Sequence, residues 1–217
     1  RGLVAGILLG ALRTAAINAV AIKHMARPDA RILGVLGSGF QARRQVQAAL
    51  AVRSFEEVRV YSPTAGHPRA FAAEMSTVLG VPVIAGASAE DVVRRAHVLI
   101  TATTSPTPVF EAGWLRPGTH VNTIGPKYRD MHEVSPEVAA RSAVVATDSL
   151  EQVDAYSRPF FLAGTPDRER MVELGDIVAG REAGRTSPDD LTLFCSVGLA
   201  GTEVVLADTA LTLARLE

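Results

Sequence analysis

Several things are scarce in this sequence, and each scarcity excludes something. Cys195 is the only cysteine, which rules out an intrachain disulfide and a cysteine-rich metal site and suits a reducing cytoplasm. Aromatic residues make up 5% of the chain, so a core must be assembled from Val, Leu, Ile and Ala. Neither sign of charge dominates: 22 Lys and Arg stand against 23 Asp and Glu, a formal net charge of −1. With no basic excess and no basic cluster, neither nucleic acid nor an anionic membrane is an expected partner, and no metal is expected. Long apolar runs are missing as well. The run from Gly2 to Leu12 stops at Arg13 after eleven residues, whereas a membrane span needs about 20. A signal sequence has a similar composition, but the pattern continues into Lys23 as one helix, in which Gly2, Gly6 and Gly10 would let a neighbour approach closely. The chain opens without methionine, as a fragment does.

What is present is ordinary for a globular protein with a real core: 47% hydrophobic and 21% charged over 217 residues, enough for one large domain or a domain and a half. An Ala-rich helix is expected over residues 3–25, closed by Ala26-Arg27-Pro28-Asp29. Short apolar runs then read as strands at residues 31–36, 58–61, 81–84, 97–102, 119–124 and 143–146. Between them lie helices at 41–52, 68–79 (stopped by Gly80) and 88–95, with Ser88 as N-cap. Strands alternating with helices at this spacing predict βαβ units, hence an α/β fold with a doubly wound, Rossmann-type parallel sheet. Residues 150–179 read as an interrupted helix, 180–190 as a polar loop, 191–194 as a strand and 200–216 as a closing helix.

After the first strand stands Gly37-Ser38-Gly39-Phe40-Gln41-Ala42, which fits G-x-G-x-x-G/A. Gly37 permits the tight turn, Gly39 lets a pyrophosphate approach the backbone, and Ala42 keeps the helix close to the sheet. The free N–H groups of the helix start would face the phosphates, where the helix dipole also favours negative charge. A domain selecting NAD usually carries Asp or Glu about 20 residues further on. Here the second strand ends in Tyr61-Ser62-Pro63-Thr64, with no carboxylate. Ser62 and Thr64 can donate to a 2′-phosphate, and Arg69, with a protonated His67, can supply charge. NADP(H) is therefore expected in preference to NAD(H).

Further motifs carry a resemblance. Leu12-Arg13-Thr14-Ala15-Ala16 precedes the first strand. Thr101-Ala102-Thr103-Thr104-Ser105 and Gly118-Thr119-His120-Val121-Asn122-Thr123-Ile124-Gly125 close later ones. Glu173-Leu174-Gly175, Gly184-Arg185-Thr186 and Leu193-Phe194-Cys195-Ser196-Val197-Gly198-Leu199-Ala200 follow in order. Together they resemble the ornithine cyclodeaminase and mu-crystallin family across nearly the whole chain. That resemblance implies a dimer whose substrate and dimerisation domain comes mainly from a segment preceding the arginine-threonine motif. Such a segment, with a further arginine and lysine, is not in this sequence. Residues 1–28 would then be a helix of, or linking from, that domain, residues 29–190 the nucleotide-binding domain, and residues 191–217 a strand and helix returning to the former.

The resemblance implies that Arg13 grips a substrate carboxylate, which a guanidinium fork does bidentately, and that Thr14 bonds cofactor phosphates or helps orient them. Ser38, Phe40 and Gln41 belong to the phosphate turn. Thr103, Thr104 and Ser105 lie at the ligand-binding edge of the sheet; Asn122, Ile124, Gly125, Ser196, Val197 and Gly198 would neighbour the nicotinamide. One departure matters. Similar cyclodeaminases carry aspartate two residues beyond the glycine, but here Gly125-Pro126-Lys127 puts a lysine there. A cation cannot serve as that carboxylate base, although a buried lysine can move a proton or pair with an anion; neither Asp130 nor His132 is an evident replacement. The expectation is an NADP-dependent oxidoreductase moving hydride between nicotinamide and the Cα of an amino acid or its imine, cytoplasmic and homodimeric when complete. Ornithine cyclisation, and a non-enzymatic crystallin-like binder of NADP(H), are the alternatives.

Overall fold

The computed structural model describes residues 7–214. Helix α1 (Ile7–Met25) leads into β1 (Ile32–Leu36), α2 (Phe40–Val52), β2 (Glu57–Tyr61), α3 (His67–Leu79), β3 (Val83–Ala85), α4 (Ala89–Arg95) and β4 (Val98–Thr101). After a 3-10 turn at Ala112–Trp114 come β5 (His120–Thr123), the small hairpin β6 (Lys127–Tyr128) and β7 (Met131–His132), α5 (Pro136–Arg141) and β8 (Val144–Thr147). The chain closes with α6 (Leu150–Asp154), α7 (Pro166–Glu169), β9 (Val172–Glu173), α8 (Leu174–Val178), β10 (Thr192–Cys195) and α9 (Ala200–Leu213).

An eight-stranded sheet runs in the order β3-β2-β1-β4-β5-β10-β8-β9, and every pairing in it is parallel. Its strands alternate between two cores. Leu36 and Leu99 join one with Val121, Val145 and Phe160; Leu33, Val35, Val98 and Ile100 join the other with Ala42, Val46 and Phe71. This two-sided burial is why β1 and β4 read as continuous apolar runs. Strand order reverses between β1 and β4, which puts a crevice outside their carboxyl ends. Helix capping matches the sequence: Ser88 Oγ accepts from Asp91 N at 3.0 Å, and Gly80 ends α3 at φ 68°.

Three expectations need correction. Strand β10 does not leave the main sheet: it runs between β5 and β8, with Leu193, Phe194 and Cys195 all fully buried there. Residues 150–179 form short separate helices around the strand β9, since Pro159, Gly164 and Pro166 interrupt any longer one. A Cβ at Gly10 would meet no atom of the described residues within 4 Å, so no described neighbour approaches it closely; Gly2, Gly6 and the outer ends of the first and last predicted helices lie outside the described residues. The expected buried helix is present in α1: it is 19 residues long and meets the length and composition of a membrane span, but its Ala11, Ala15, Asn18, Ala19, Ile22 and Met25 face is buried within the protein.

A buried polar chain fastens α1 to the sheet. Asn122 Nδ2 donates to Asn18 O at 3.0 Å, and Asn122 Oδ1 meets His120 Nε2 at 2.8 Å. His120 Nδ1 meets Thr192 Oγ1 at 2.8 Å, and that oxygen also lies 3.1 Å from Met25 O. Burial pushes the His120 imidazole down to about 3, with the Arg185 charge acting in the same direction. It therefore stays neutral at neutral pH, which leaves one ring nitrogen free to accept.

Candidate functional site

The phosphate turn follows from backbone geometry. Gly37 sits at φ 108°, and a Cβ there would stand 2.3 Å from Ala102 O, so only glycine lets β1 pass β4. Its N–H donates to Tyr61 O at 2.8 Å. At Gly39, the N-cap of α2, a Cβ would meet no atom within 4 Å, and no side chain caps the helix. The first-turn N–H groups therefore open onto free space, as an anion-binding helix start requires. Ser38 Oγ donates to Ser62 Oγ at 3.0 Å, joining this turn to the tip of β2. Arg43, which the motif did not single out, braces the turn from beneath: Nη1 donates to Ser38 O at 2.8 Å, and the guanidinium pairs with Glu74 at 2.6 Å.

Three hollows line the carboxyl edge of the sheet. One of about 540 Å³ is bordered by Ser62, Thr64, Arg69 and Gly86, with no carboxylate among its lining residues. His67 opens α3 exposed and does not line it. A narrower slot of about 200 Å³ lies between Gly37, Tyr61, Pro63, Thr103 and Val109. The third, a cleft of about 260 Å³, brings together Arg13, Thr14, Gln41, Lys127, Tyr156 and the Val197–Gly198 turn, with Ile124 and Gly125 on its floor. A dinucleotide fits this succession: a pocket for the adenosine end, a bare helix start, and a cleft for the other end. Gln41 Oε1 is buried by the cleft with no partner among the described residues, an acceptor that a bound ligand would satisfy.

Arg13 and Lys127 stand in this cleft together. Arg13 Nε donates to Glu203 Oε1 on α9 at 3.0 Å, and its Nη1 would lie 3.3 Å from a Cβ at Gly198, so the guanidinium rests on that turn. Lys127 is 4% exposed and donates from Nζ to Gly125 O at 2.6 Å. Burial lowers its ammonium pKa; the charges of Glu133 and Asp148 pull the other way. Burial lifts the Cys195 thiol to about 12, so it rests as the protonated thiol. Tyr156 donates to Val197 O at 3.3 Å, and its ring stands 5.4 Å from that of Tyr128 in the same wall.

Two buried carboxylates, Glu133 and Asp148, hold the walls, and sequence reasoning missed both. Asp148 accepts from Val197 N at 2.7 Å, from Gly198 N at 2.9 Å and from Ser196 Oγ at 3.4 Å. An acidic residue directly after a buried strand, at the ligand-binding edge, was the available signal. Glu133 accepts from Thr103 N and Oγ1 on one oxygen and from the Ile124 and Gly125 amides on the other. Of the other expected residues, Asn122 points away from the cleft into the α1 network. Thr104 is exposed, Ser105 Oγ donates to its own loop at Thr107 O, 2.7 Å away, and Phe40 is exposed beside the turn. Thr14 Oγ1 donates to Gly10 O at 2.8 Å, leaving its lone pairs toward the cleft it lines. Asp130 is exposed and paired with Arg158. His132 meets Tyr128 O at 3.0 Å and stacks on Phe161; neither Asp130 nor His132 lines the cleft.

Known proteins share this arrangement. Residues 2–211 match the sequence model of the ornithine cyclodeaminase/mu-crystallin family. The chain is 34% identical to a Delta(1)-pyrroline-2-carboxylate reductase of Bacillus cereus over 209 residues, 94% of this chain and 64% of that protein. It is 33% identical to the mouse ketimine reductase mu-crystallin, over 93% of this chain and 61% of that one. Among solved structures, the Delta(1)-pyrroline-2-carboxylate reductase of Thermococcus litoralis, in complex with NADH and L-proline, superposes with a TM-score of 0.84 at 35% identity, covering 94% of this chain and 64% of that one. The chain thus spans just under two thirds of the length of these relatives. With the family model matched over residues 2–211 and relatives of this identity along that span, the chain belongs to the ornithine cyclodeaminase/mu-crystallin family.

Proposed function

We propose that the complete protein is a nicotinamide-dependent reductase of imines derived from amino acids, cyclic imines included, and that it uses NADP(H) in preference to NAD(H). The observation that carries this reading is the cleft itself. Arg13 and Lys127 both face it at the mouth of the phosphate turn, while the nearby carboxylates Glu133 and Asp148 are engaged by backbone amides. A cyclodeaminase needs a free carboxylate base, and none lines this cleft among the described residues; reduction needs only an anchored carboxylate and a proton source. The relatives named as pyrroline-2-carboxylate and ketimine reductases favour the same choice.

In this reading the N–H groups after Gly39 and the side chain of Ser38 hold the pyrophosphate, and Thr103, Ile124 and Gly125 border the nicotinamide. The cofactor, when bound, supplies a hydride. Arg13 anchors the imine carboxylate through its fork and so presents the imine carbon in one orientation. Lys127, nearly buried and readily deprotonated for a lysine, holds or returns a proton at Nζ. The preference for the phosphorylated cofactor rests on Ser62, Thr64 and Arg69 around a hollow with no acid in it; the Thermococcus relative is described with NADH, so this is a proposal about the present chain. A homodimer in a reducing cytoplasm is the expected setting.

The test is to incubate the full-length protein with NADPH or NADH and a panel of imines, beginning with pyrroline-2-carboxylate and including keto acids with amines. NADPH consumption exceeding NADH consumption is expected. Silence across the panel, with ornithine converted to proline and ammonia, would overturn the reading in favour of a cyclodeaminase.

A further inference from the structure

We infer that Glu133 is a positioning residue for the nicotinamide end of the cleft, its buried carboxylate fixing the ends of β4 and β5 relative to each other. The inference rests on the functional reading above. Glu133 follows the hairpin of β6 and β7, and none of its surface is exposed. Its backbone is fixed on both sides, with its own N–H donating to Pro126 O at 3.2 Å and its carbonyl accepting from Val109 N at 3.0 Å. One oxygen accepts from Thr101 Oγ1 at 2.8 Å, Thr123 Oγ1 at 2.8 Å, Ile124 N at 3.1 Å and Gly125 N at 2.6 Å. The other accepts from Thr103 N at 2.9 Å and Thr103 Oγ1 at 2.6 Å.

These donors sit where the sheet ladder runs out, so without the carboxylate the two strand ends would be joined chiefly by the bond from Ile124 N to Thr101 O at 3.0 Å. A buried anion with this many donors is strongly held, since hydrogen bonds to charged groups are the strong ones. Gly125 shows how closely the group is fitted: a Cβ there would stand 2.4 Å from Thr103 O and 2.5 Å from Glu133 Oε2. That glycine, expected from the sequence to serve the cofactor directly, also makes room for the Thr103 backbone and for Glu133. The residue is also gripped at both ends, its N–H by Glu133 and its carbonyl by Lys127 Nζ at 2.6 Å. Glu133 thereby sets the floor under the nicotinamide and the seat of the lysine proposed to handle the proton.

Glu133→Gln in the complete protein tests this. Glutamine preserves volume but turns an NH₂ toward amide donors of one strand end or the other, releasing that end. NADPH affinity is expected to fall at least about tenfold, equivalent to about 1.4 kcal/mol, and kcat with pyrroline-2-carboxylate to fall with it. Affinity for adenosine 2′,5′-bisphosphate, which reaches only the far end of the site, is expected to stay within about twofold. Equal losses for both ligands would mark Glu133 as a general fold residue, and no loss for either would mark it as irrelevant; both results overturn the inference. Should the glutamine variant fail to fold, Thr123→Val removes a single donor that lies outside the cleft. It should show the same split at smaller size, and an even loss would again overturn the inference. Failure of the functional reading would show instead in the unaltered protein, as no NADPH consumption with any imine, whereas the split between the two ligands is read from binding alone.

Discussion

The glycines at positions 37 and 39 should separate folding from binding. Gly37→Ala forces a Cβ into the left-handed φ region at 108° and to within 2.3 Å of the Ala102 carbonyl oxygen. The backbone strain costs about 1–2 kcal/mol and the overpacking about 1–3 kcal/mol, together roughly 2–5 kcal/mol. For a chain of this size each kcal/mol lowers Tm by about 2–4 °C, so the melt should drop by roughly 4–20 °C. Gly39→Ala is different. Its backbone lies at φ −81°, open to any residue, and the new methyl meets no protein atom. Losing glycine at an N-cap and gaining a stiffer unfolded chain nearly offset each other, leaving stability within about 1 kcal/mol. The methyl instead occupies the space before the α2 amides, and one lost amide bond to a phosphate is worth about 1.5–3 kcal/mol. NADPH affinity should therefore fall at least about tenfold. Thermal melts and calorimetric titration of both variants decide the matter. A Gly39→Ala protein that binds NADPH normally, or that loses stability as much as the Gly37 variant, would refute the reasoning.

Other consequences are equally direct. Arg13→Lys keeps the charge but loses the planar fork, so KM for the imine should rise roughly 10–100-fold with NADPH affinity unchanged, as steady-state kinetics and titration would show. His120 is held near 3 in the folded protein while its unfolded value is ordinary, near 6.5. Between those values only the unfolded chain binds the proton, so stability should fall as pH drops from about 6.5 toward 3, by up to roughly 1.4 kcal/mol per pH unit from this residue. Urea melts across that window should lose part of this slope in His120→Gln. Burial also depresses the Lys127 pKa, so the alkaline loss of kcat should begin below the ordinary lysine range and disappear, with most of the activity, in Lys127→Met. Cys195, buried with its thiol at about 12, should resist iodoacetamide in the native protein and react after unfolding; mass spectrometry distinguishes the two.

The fold was legible wherever a strand is buried on both faces or a helix is punctuated by glycine. Residues 31–42 show the strand, the turn and the helix start in twelve letters, and the model places each where the spacing put it. Residues 150–179 were not legible, because α6, α7 and α8 are too short for a helical period to emerge. The hairpin Lys127–His132 escaped for the same reason, with two residues in each strand. Within the site, Arg13 and Lys127 both line the cleft, since each lies beside a motif that fixes its place in the fold. Asn122 was misread because alternation along β5 turns residues 120 and 122 to the same side, toward α1, and nothing local says which side faces a ligand. Glu133 was illegible for a deeper reason, and Asp148 offered only its place after a buried strand. A buried carboxylate is stable only through its donors, and theirs come from Thr101 to Gly125 and from Ser196 to Gly198, distant in sequence.

The most direct test follows the hydride. NADPH carrying deuterium at nicotinamide C4 should be mixed with the full-length protein and pyrroline-2-carboxylate, and the product examined by mass spectrometry. A reductase whose cleft aligns the imine carbon with the nicotinamide, as Arg13 and the Ile124–Gly125 floor imply, will deliver proline labelled at Cα from one of the two C4 epimers only. Unlabelled proline, label from both epimers alike, or bound NADPH that is never consumed would contradict the account.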